Sequence, residues 1–526
     1  MNKQGRNKAK SRNYRQNTRP QEDVNSAKGR VDKVGINKFN DVSWYARNPQ
    51  LLRDAGSLSF NNPLGAQLRF NDVIPANSTF QVVSGMDVVP GVMKISFRPV
   101  PGVSRDNSSP VNIAARNIYS FVRHANSGHT NYDSPDLMLY LLAMDNLYMM
   151  FNLGKRAYGL ARYYSQYNRY VPDELIVAAG FDPADLRRNL ANLRYGLNVI
   201  AAKLNAFAVP NSMTLFTRHS WMVSNVYKDA DEPKAQLYLW TPSEYFVYNE
   251  TGSPRGGYLQ ITTNPLWKVE EYLESLNVAV AAVVESEDLN IMSGDILKAY
   301  GTGKLWTLGP IGEEYAIEPV YNVEVLNQMH NTTMFYRAGT QPWSTRDNIR
   351  QDPDTGAILC GEQQLVPFVG NAAGAHQGFP VMINMPRGDV TPDMVMVATR
   401  NTTQLRISGD ADVTTVNIDS MGSEMITGFT IYTKELDSST GNTYTVLPFN
   451  SIIVIPTTGS SQITMAELVQ ISNFDWHPIL YLTTGDTFVG YLGDISNNTL
   501  IDANTLEKLH STALLSELDV PVSGSI

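Results

Sequence analysis

Four helix starts expected between residues 109 and 265 place a capping residue directly before a proline: Ser109-Pro110, Ser134-Pro135, Asp182-Pro183 and Asn264-Pro265. At a helix start the capping side chain accepts from a backbone N–H that has no intrahelical partner. Proline suits the first helical position because its missing N–H is not needed there. Helix is therefore the expected state of this stretch. After Pro183, Leu186, Leu190, Leu193, Leu197, Ile200, Leu204 and Phe207 recur at alternating intervals of 4 and 3 residues, and the run must stop before Pro210. After Pro265, Leu266, Val269, Leu273, Leu276, Val280 and Val283 repeat the pattern. Such seams pack against another helix. They read as the core face of their own domain, with a subunit interface as the alternative, and neither reading makes them a cofactor site.

Shorter helices are expected around 294–300, capped by Ser293 and ended at Gly301, and around 320–330. Order is expected to begin within Phe39 to Leu52, followed by extended pieces at Val82-Val83, Val88-Val89 and Lys94 to Phe97. Between about 336 and 464 the pattern turns to short alternating runs: Met394 to Ala398, Val413 to Ile418, Glu424 to Lys434, Tyr444 to Leu447 and Ile452 to Ile455. Runs at this spacing predict an antiparallel sandwich or barrel rather than βαβ units. Helical character returns at Met465 to Phe474 and at Ala503 to Glu517, which reads as the chain re-entering its first domain. The fold class expected is α+β, a mainly helical body with one β-rich insertion.

Charge divides the chain more sharply than composition does. Lys and Arg number 42 against 51 Asp and Glu, for a net −9. Residues 1–40 hold eleven of the cations and only three acids (Glu22, Asp23, Asp32), so this end carries +8 and the remainder −17. Lys3, Arg6, Lys8, Lys10, Arg12, Arg15 and Arg19 fall in the first twenty residues without one acid or an apolar run behind them, so no secretory leader is expected. Residues 1–38 are too polar to offset the entropy of ordering and read as a disordered arm. Cations on a flexible tether suit a phosphate backbone, where each neutralised phosphate releases counterions and no base need be read. A solubilising tail or a localisation sequence is the plainer alternative. From Gly361 to Asp475 four basic residues face eleven acidic ones, which argues against a nucleic-acid surface there.

Catalytic chemistry finds no foothold. Gly294 to Lys304 imitates a phosphate-binding loop, but Lys298 stands where a glycine is required and Leu305 where a Ser or Thr should hold Mg²⁺. His124 and His129, five apart across a glycine, do not share a helical face and lack a third ligand. Cys360 is the single cysteine, which excludes internal disulfides and a Cys-rich zinc site. With His330 or His376 as base it would make a nucleophile, but an inert buried thiol is the simpler reading. The most apolar stretch, Leu137 to Phe151, is broken by Asp145 and Asn146 and is short of the about 20 residues that a membrane span needs. No catalytic residue, metal site or cofactor is expected.

Particular runs are familiar. Asn112 to Tyr119, Val122 to His129 and Asp136 to Asp145 resemble picobirnavirus capsid proteins, supported by Asn40 to Ala46, Pro90 to Met93, Ile291 to Asp295, Phe474 to Trp476 and Leu480 to Thr483. The likeness runs from about residue 40 to 330 and resumes after 470. It implies a structural protein of the virion, assembled in the host cytoplasm through intertwined homodimers into an icosahedral shell enclosing a double-stranded RNA genome. On that resemblance residues 39–335 and 471–526 are a shell domain, 336–470 a projecting domain open to a host-cell receptor, and 1–38 a disordered arm whose Lys3, Arg6, Lys8, Lys10, Arg12, Arg15 and Arg19 face the genomic RNA. Some family members remove an N-terminal peptide by self-cleavage, but no residue here is nominated for that step. The rival readings are a nucleocapsid protein coating RNA as a filament, which the −17 body contradicts, and an RNA-localised enzyme resting on Cys360.

Overall fold

The computed structural model describes Val42, residues 46–58, 67–69 and 86–88, and 91–520 apart from 129–130, 167–172, 233, 252–254, 335–347, 362–363, 366–380, 409–414, 438–440, 450–452, 455–464 and 485–486. The described residues up to 58 belong to one unit and those from 67 onward to another. Within the first, Pro49–Gly56 is a helix capped by Asn48, with every residue exposed.

The proline-marked starts organise the second unit. Helix α1 (Pro110–Ala125) follows Ser109 and α2 (Ser134–Gln166) runs for 33 residues. The interrupted apolar stretch within α2 is buried whole, including Asp145 and Asn146, which makes α2 the central helix of the core. The seam expected to run as one helix from Pro183 is split. Asp182 caps α3 (Pro183–Arg188) by accepting from the Asp185 N–H at 2.7 Å, and Asn189 ends it and opens α4 (Leu190–Leu204). Across that break Leu186, Leu193, Leu197, Ile200, Leu204 and Phe207 are all buried. Helix α5 (Thr214–Ser224) packs on α2.

At Pro265 the expected start is displaced by a turn. Asn264 spends its side-chain amide on the Pro242 carbonyl at 3.0 Å, Leu266 is left 50% exposed, and α6 begins only at Val269 (Val269–Val284). The first free amide of α6 is satisfied from elsewhere: Asp185 on α3 accepts from the Val269 N–H at 2.8 Å. Helix α7 (Glu287–Tyr300) also starts earlier than expected, under Ser286, and ends as expected at Gly301, whose φ of +75° favours glycine. Ser293 lies inside the helix, where its hydroxyl accepts from the Ala208 N–H at 2.9 Å. Helix α8 (Val323–His330) opens under Asn322. The run 394–398, expected as a strand, is helical: Thr391-Pro392 repeats the cap-and-proline device and starts α9 (Pro392–Ala398). Helices α10 (Met465–Ile471) and α11 (Ala503–Glu517) lie where helical character was expected to return.

The largest sheet draws on three distant parts of the chain. Its strands are β1 (Val92–Pro99), β2 (Tyr227–Lys228), β3 (Leu237–Pro242), β4 (Glu424–Asp437) and β5 (Gly441–Phe449), in the order β5-β4-β1-β3-β2. Only the β1–β3 pair is parallel. Strand β4 lies against β1 with Ile95 opposite Phe429 and Phe97 opposite Ile426, all four buried. Residues expected in a separate 336–470 domain thus complete the sheet of the helical body. The alternation in 424–434 marks a strand correctly, but nothing in it says which sheet the strand joins. Nor do the strands of this region build one sandwich: among the described residues they are spread over five sheets, and Val381–Asn384 pairs with Asn498–Ile501 near the end of the chain. The observed class is mixed α+β, with helix exceeding strand about twofold.

Candidate functional site

The seven cations from Lys3 to Arg19 lie outside the described residues. So do His129 and His376. Cys360 is buried, its backbone bridged to Ser104. His330 is unable to serve it as a base: its Nδ1–H donates to the His477 carbonyl at 2.8 Å, while Nε2 accepts from the Asn384 amide at 2.9 Å. Burial then pushes the His330 pKa down to about 4. Gly294 sits in the middle of α7, so there is no loop in which a phosphate could be cradled.

What the structure does assemble is a buried ionic cluster where α2, α5 and β4 meet. Glu424, the first residue of β4, has a fully buried side chain. It receives Arg218 Nε at 2.5 Å and Nη2 at 2.8 Å, the planar fork that matches guanidinium to carboxylate. The Ser423 hydroxyl donates to it at 2.6 Å and the Asn401 amide at 3.3 Å. The neighbouring His219 lies between two carboxylates, with Nδ1 2.6 Å from Asp145 Oδ2 on α2 and Nε2 3.7 Å from Glu424 Oε1. Burial lowers the His219 pKa, but Asp145 and then Glu424 outweigh it and push it up to about 9, so the ring is a buried cation at neutral pH. The same network holds Glu424 below its usual range, chiefly because Arg218 overcomes the cost of burial. Next along α2, Asn146 accepts from the Phe246 N–H at 3.0 Å and fastens the helix to the Glu244–Asn249 strand.

An acid–histidine pair is two of the three members of a catalytic triad, but here the remaining ring nitrogen faces the Ser423 backbone carbonyl at 3.1 Å and not a hydroxyl. There is nothing to activate. The cluster can act as a clamp, because a buried charge that loses its partner is costly and each element is therefore held in place. Asp145 and Asn146 as interruptions of an apolar run were the one trace of it in the sequence. On sequence grounds they argue only against a membrane span. Among the described residues no helix is long and apolar enough to cross a membrane, and no His, Cys, Asp and Glu group could hold a metal ion.

A family model described as the picobirnavirus capsid protein matches residues 44–452. The chain belongs to that family. The capsid protein precursor of a human picobirnavirus is 32% identical over 518 residues, covering 92% of each chain. The X-ray structure of a picobirnavirus capsid matches with a TM-score of 0.78 at 22% identity, over 92% of this chain and all of that one; at that identity the likeness speaks for the fold alone. The resemblance carried by Asn112 to Asp145 is thereby upheld. In a picobirnavirus capsid protein the clamp has a natural place: it makes one rigid building block of segments more than 200 residues apart in sequence.

Proposed function

We propose that the chain assembles through homodimers into a closed icosahedral shell around a double-stranded RNA genome, its basic arm facing inward. Family membership supports the capsid role, and the partition of charge, +8 on residues 1–40 against −17 on the remainder, supports the sidedness. Lys3, Arg6, Lys8, Lys10, Arg12, Arg15 and Arg19 neutralise phosphates without reading sequence. A filament-coating protein would need basic surface throughout its body, and an enzyme would need more than a buried thiol and a histidine already committed elsewhere. Assembly takes place in the host cytoplasm. The parts of 336–470 outside the central sheet form the outward projection that meets a host-cell receptor.

Electron microscopy of the expressed chain tests this reading. Closed isometric shells containing nuclease-protected RNA are expected, and monodisperse small oligomers would overturn it. Deleting residues 2–38 should leave shells that form but protect little RNA. Loss of folded protein in that deletion would refute a separable arm.

A further inference from the structure

Tyr238 on β3 ties a distant segment to a buried acid. Its ring packs edge-on against Phe474 at 5.5 Å between centroids, its oxygen accepts from the Trp476 N–H at 3.1 Å, and its hydroxyl donates to Asp229 at 3.4 Å. Tyr238, Phe474 and Trp476 are buried, and Asp229, just past β2, is only 5% exposed. Asp475, between the two buried rings, is exposed instead. There Arg387 donates to it at 2.7 Å and lies over the Trp476 ring at 5.1 Å from its centroid. Residues 474–477 are thus held by Tyr238 beneath and Arg387 above.

Two carboxyls in this arrangement compete for one guanidinium. Asp475 and Arg387 are the charges that act on Asp229, and Arg387 is already committed to Asp475 and to the Tyr321 hydroxyl. The turn carrying Asp229 adds Lys228, paired with Asp231 at 3.2 Å, exposed Glu232 and half-buried Lys234. Burial, and then Asp475, push Asp229 up to about 7. A cavity of about 280 Å³ lined by Arg387, Asp475, Trp476, His477 and Asp494 gives the segment room to shift.

We propose that residues 474–477 are a proton-controlled strap, docked on Tyr238 while Asp229 is neutral and loosened when Asp229 ionises. Loosening lets the ionised carboxyl meet water, which burial denies it, and relieves its repulsion with Asp475. A carboxyl raised in the docked state favours docking while protonated. That preference is lost as pH rises from the usual carboxylate range through about 7, and it is gone above. His477 in the same segment works the other way: burial holds it below the usual histidine range, so loosening is favoured as pH falls below about 6.5. A variant that alters Asp229 and keeps His477 separates the two.

Hydrogen exchange at residues 474–477 of the full-length chain, corrected for the intrinsic amide rate, tests the strap between pH 5 and 8. The comparison is Asp229→Asn, whose neutral amide oxygen still accepts from Tyr238. The ratio of wild-type to variant protection is expected to fall at least about tenfold across that range and to level off above about pH 7.5. A constant ratio would overturn the proposal. Should Asp229→Asn fold poorly, Asp475→Asn decides instead, since Asp475 is exposed and its loss frees Arg387 to pair with Asp229. Between pH 6.5 and 8 wild-type protection should fall about fourfold, and that of Asp475→Asn less than half as far, whatever its absolute level. An equal fall in both proteins would overturn the proposal as well.

Discussion

The buried His219 should make stability fall with rising pH over a defined window. An unfolded histidine titrates near 6.5, whereas Asp145 and Glu424, outweighing burial, hold folded His219 at about 9. A group whose folded pKa is raised contributes stability that is complete below the unfolded value and lost as pH rises through the folded one. The window is therefore about pH 6.5 to 9, and a gap of about 2.5 units corresponds to about 3 kcal/mol. Burial of Asp229, with Asp475 nearby, raises that carboxyl to about 7, and its own effect has faded by about pH 8, one unit above that value. Buried His330 and His510, held near 4, stay neutral throughout. Melting the full-length chain at one heating rate from about pH 8 to 9, above the Asp229 transition and below the ionisation of unfolded tyrosine near 10, should thus show a fall of a degree or two. Asp145→Asn removes the largest upward pull, so burial dominates, the ring is neutral across the range and the fall should vanish. His219→Gln should flatten it equally if Asp145→Asn folds poorly. An unchanged slope in both variants would refute the assignment of a buried imidazolium.

Two packing predictions follow from the core. Replacing Leu197 and Ile200 by Ala deletes fully buried methyl groups at about 2–5 kcal/mol per site, and soluble shells should be lost; wild-type melting of the double variant would mean that the seam is not core. Gly154→Ala inverts the usual preference: Ala normally improves a helix interior by up to about 1 kcal/mol, but here the new Cβ would lie 2.8 Å from the Tyr272 ring, so a lower melting temperature is expected and a higher one would count against the close approach.

The helical half of the fold was legible because its determinants are local. A capping side chain followed by proline acts within one turn, and Asp182 performs as its sequence position dictates. Where the device misled, the competitor was distant: Asn264 is drawn to the Pro242 carbonyl and Asp185 supplies the cap of α6 from another helix. At Thr391-Pro392 two local signals conflict: the valines and methionines that follow favour a strand, and in the fold their propensity gives way to the cap. Strand β4 shows the limit most clearly. Its alternation fixes that it is extended, while its partner β1 lies more than 300 residues earlier, and no local pattern encodes that pairing.

The clamp also bears on what a charge count can say. Of the eleven acids between Gly361 and Asp475, Glu424 is fully buried on Arg218, Asp419 pairs with Arg105 and Asp475 with Arg387. Counting all eleven acids of 361–475 as free surface charge would therefore overstate how acidic that surface is. The contrast between the arm and the body is not weakened in the same way. An ion pair within the body removes one charge of each sign and leaves its net −17 unchanged, whereas the first twenty residues hold seven cations and no acid with which to pair them locally. Pairing inside the fold thus weakens any argument from the acids of 361–475 and leaves the argument from the arm intact, which is why the arm deletion, rather than a substitution in the acidic stretch, is the decisive test of RNA packaging.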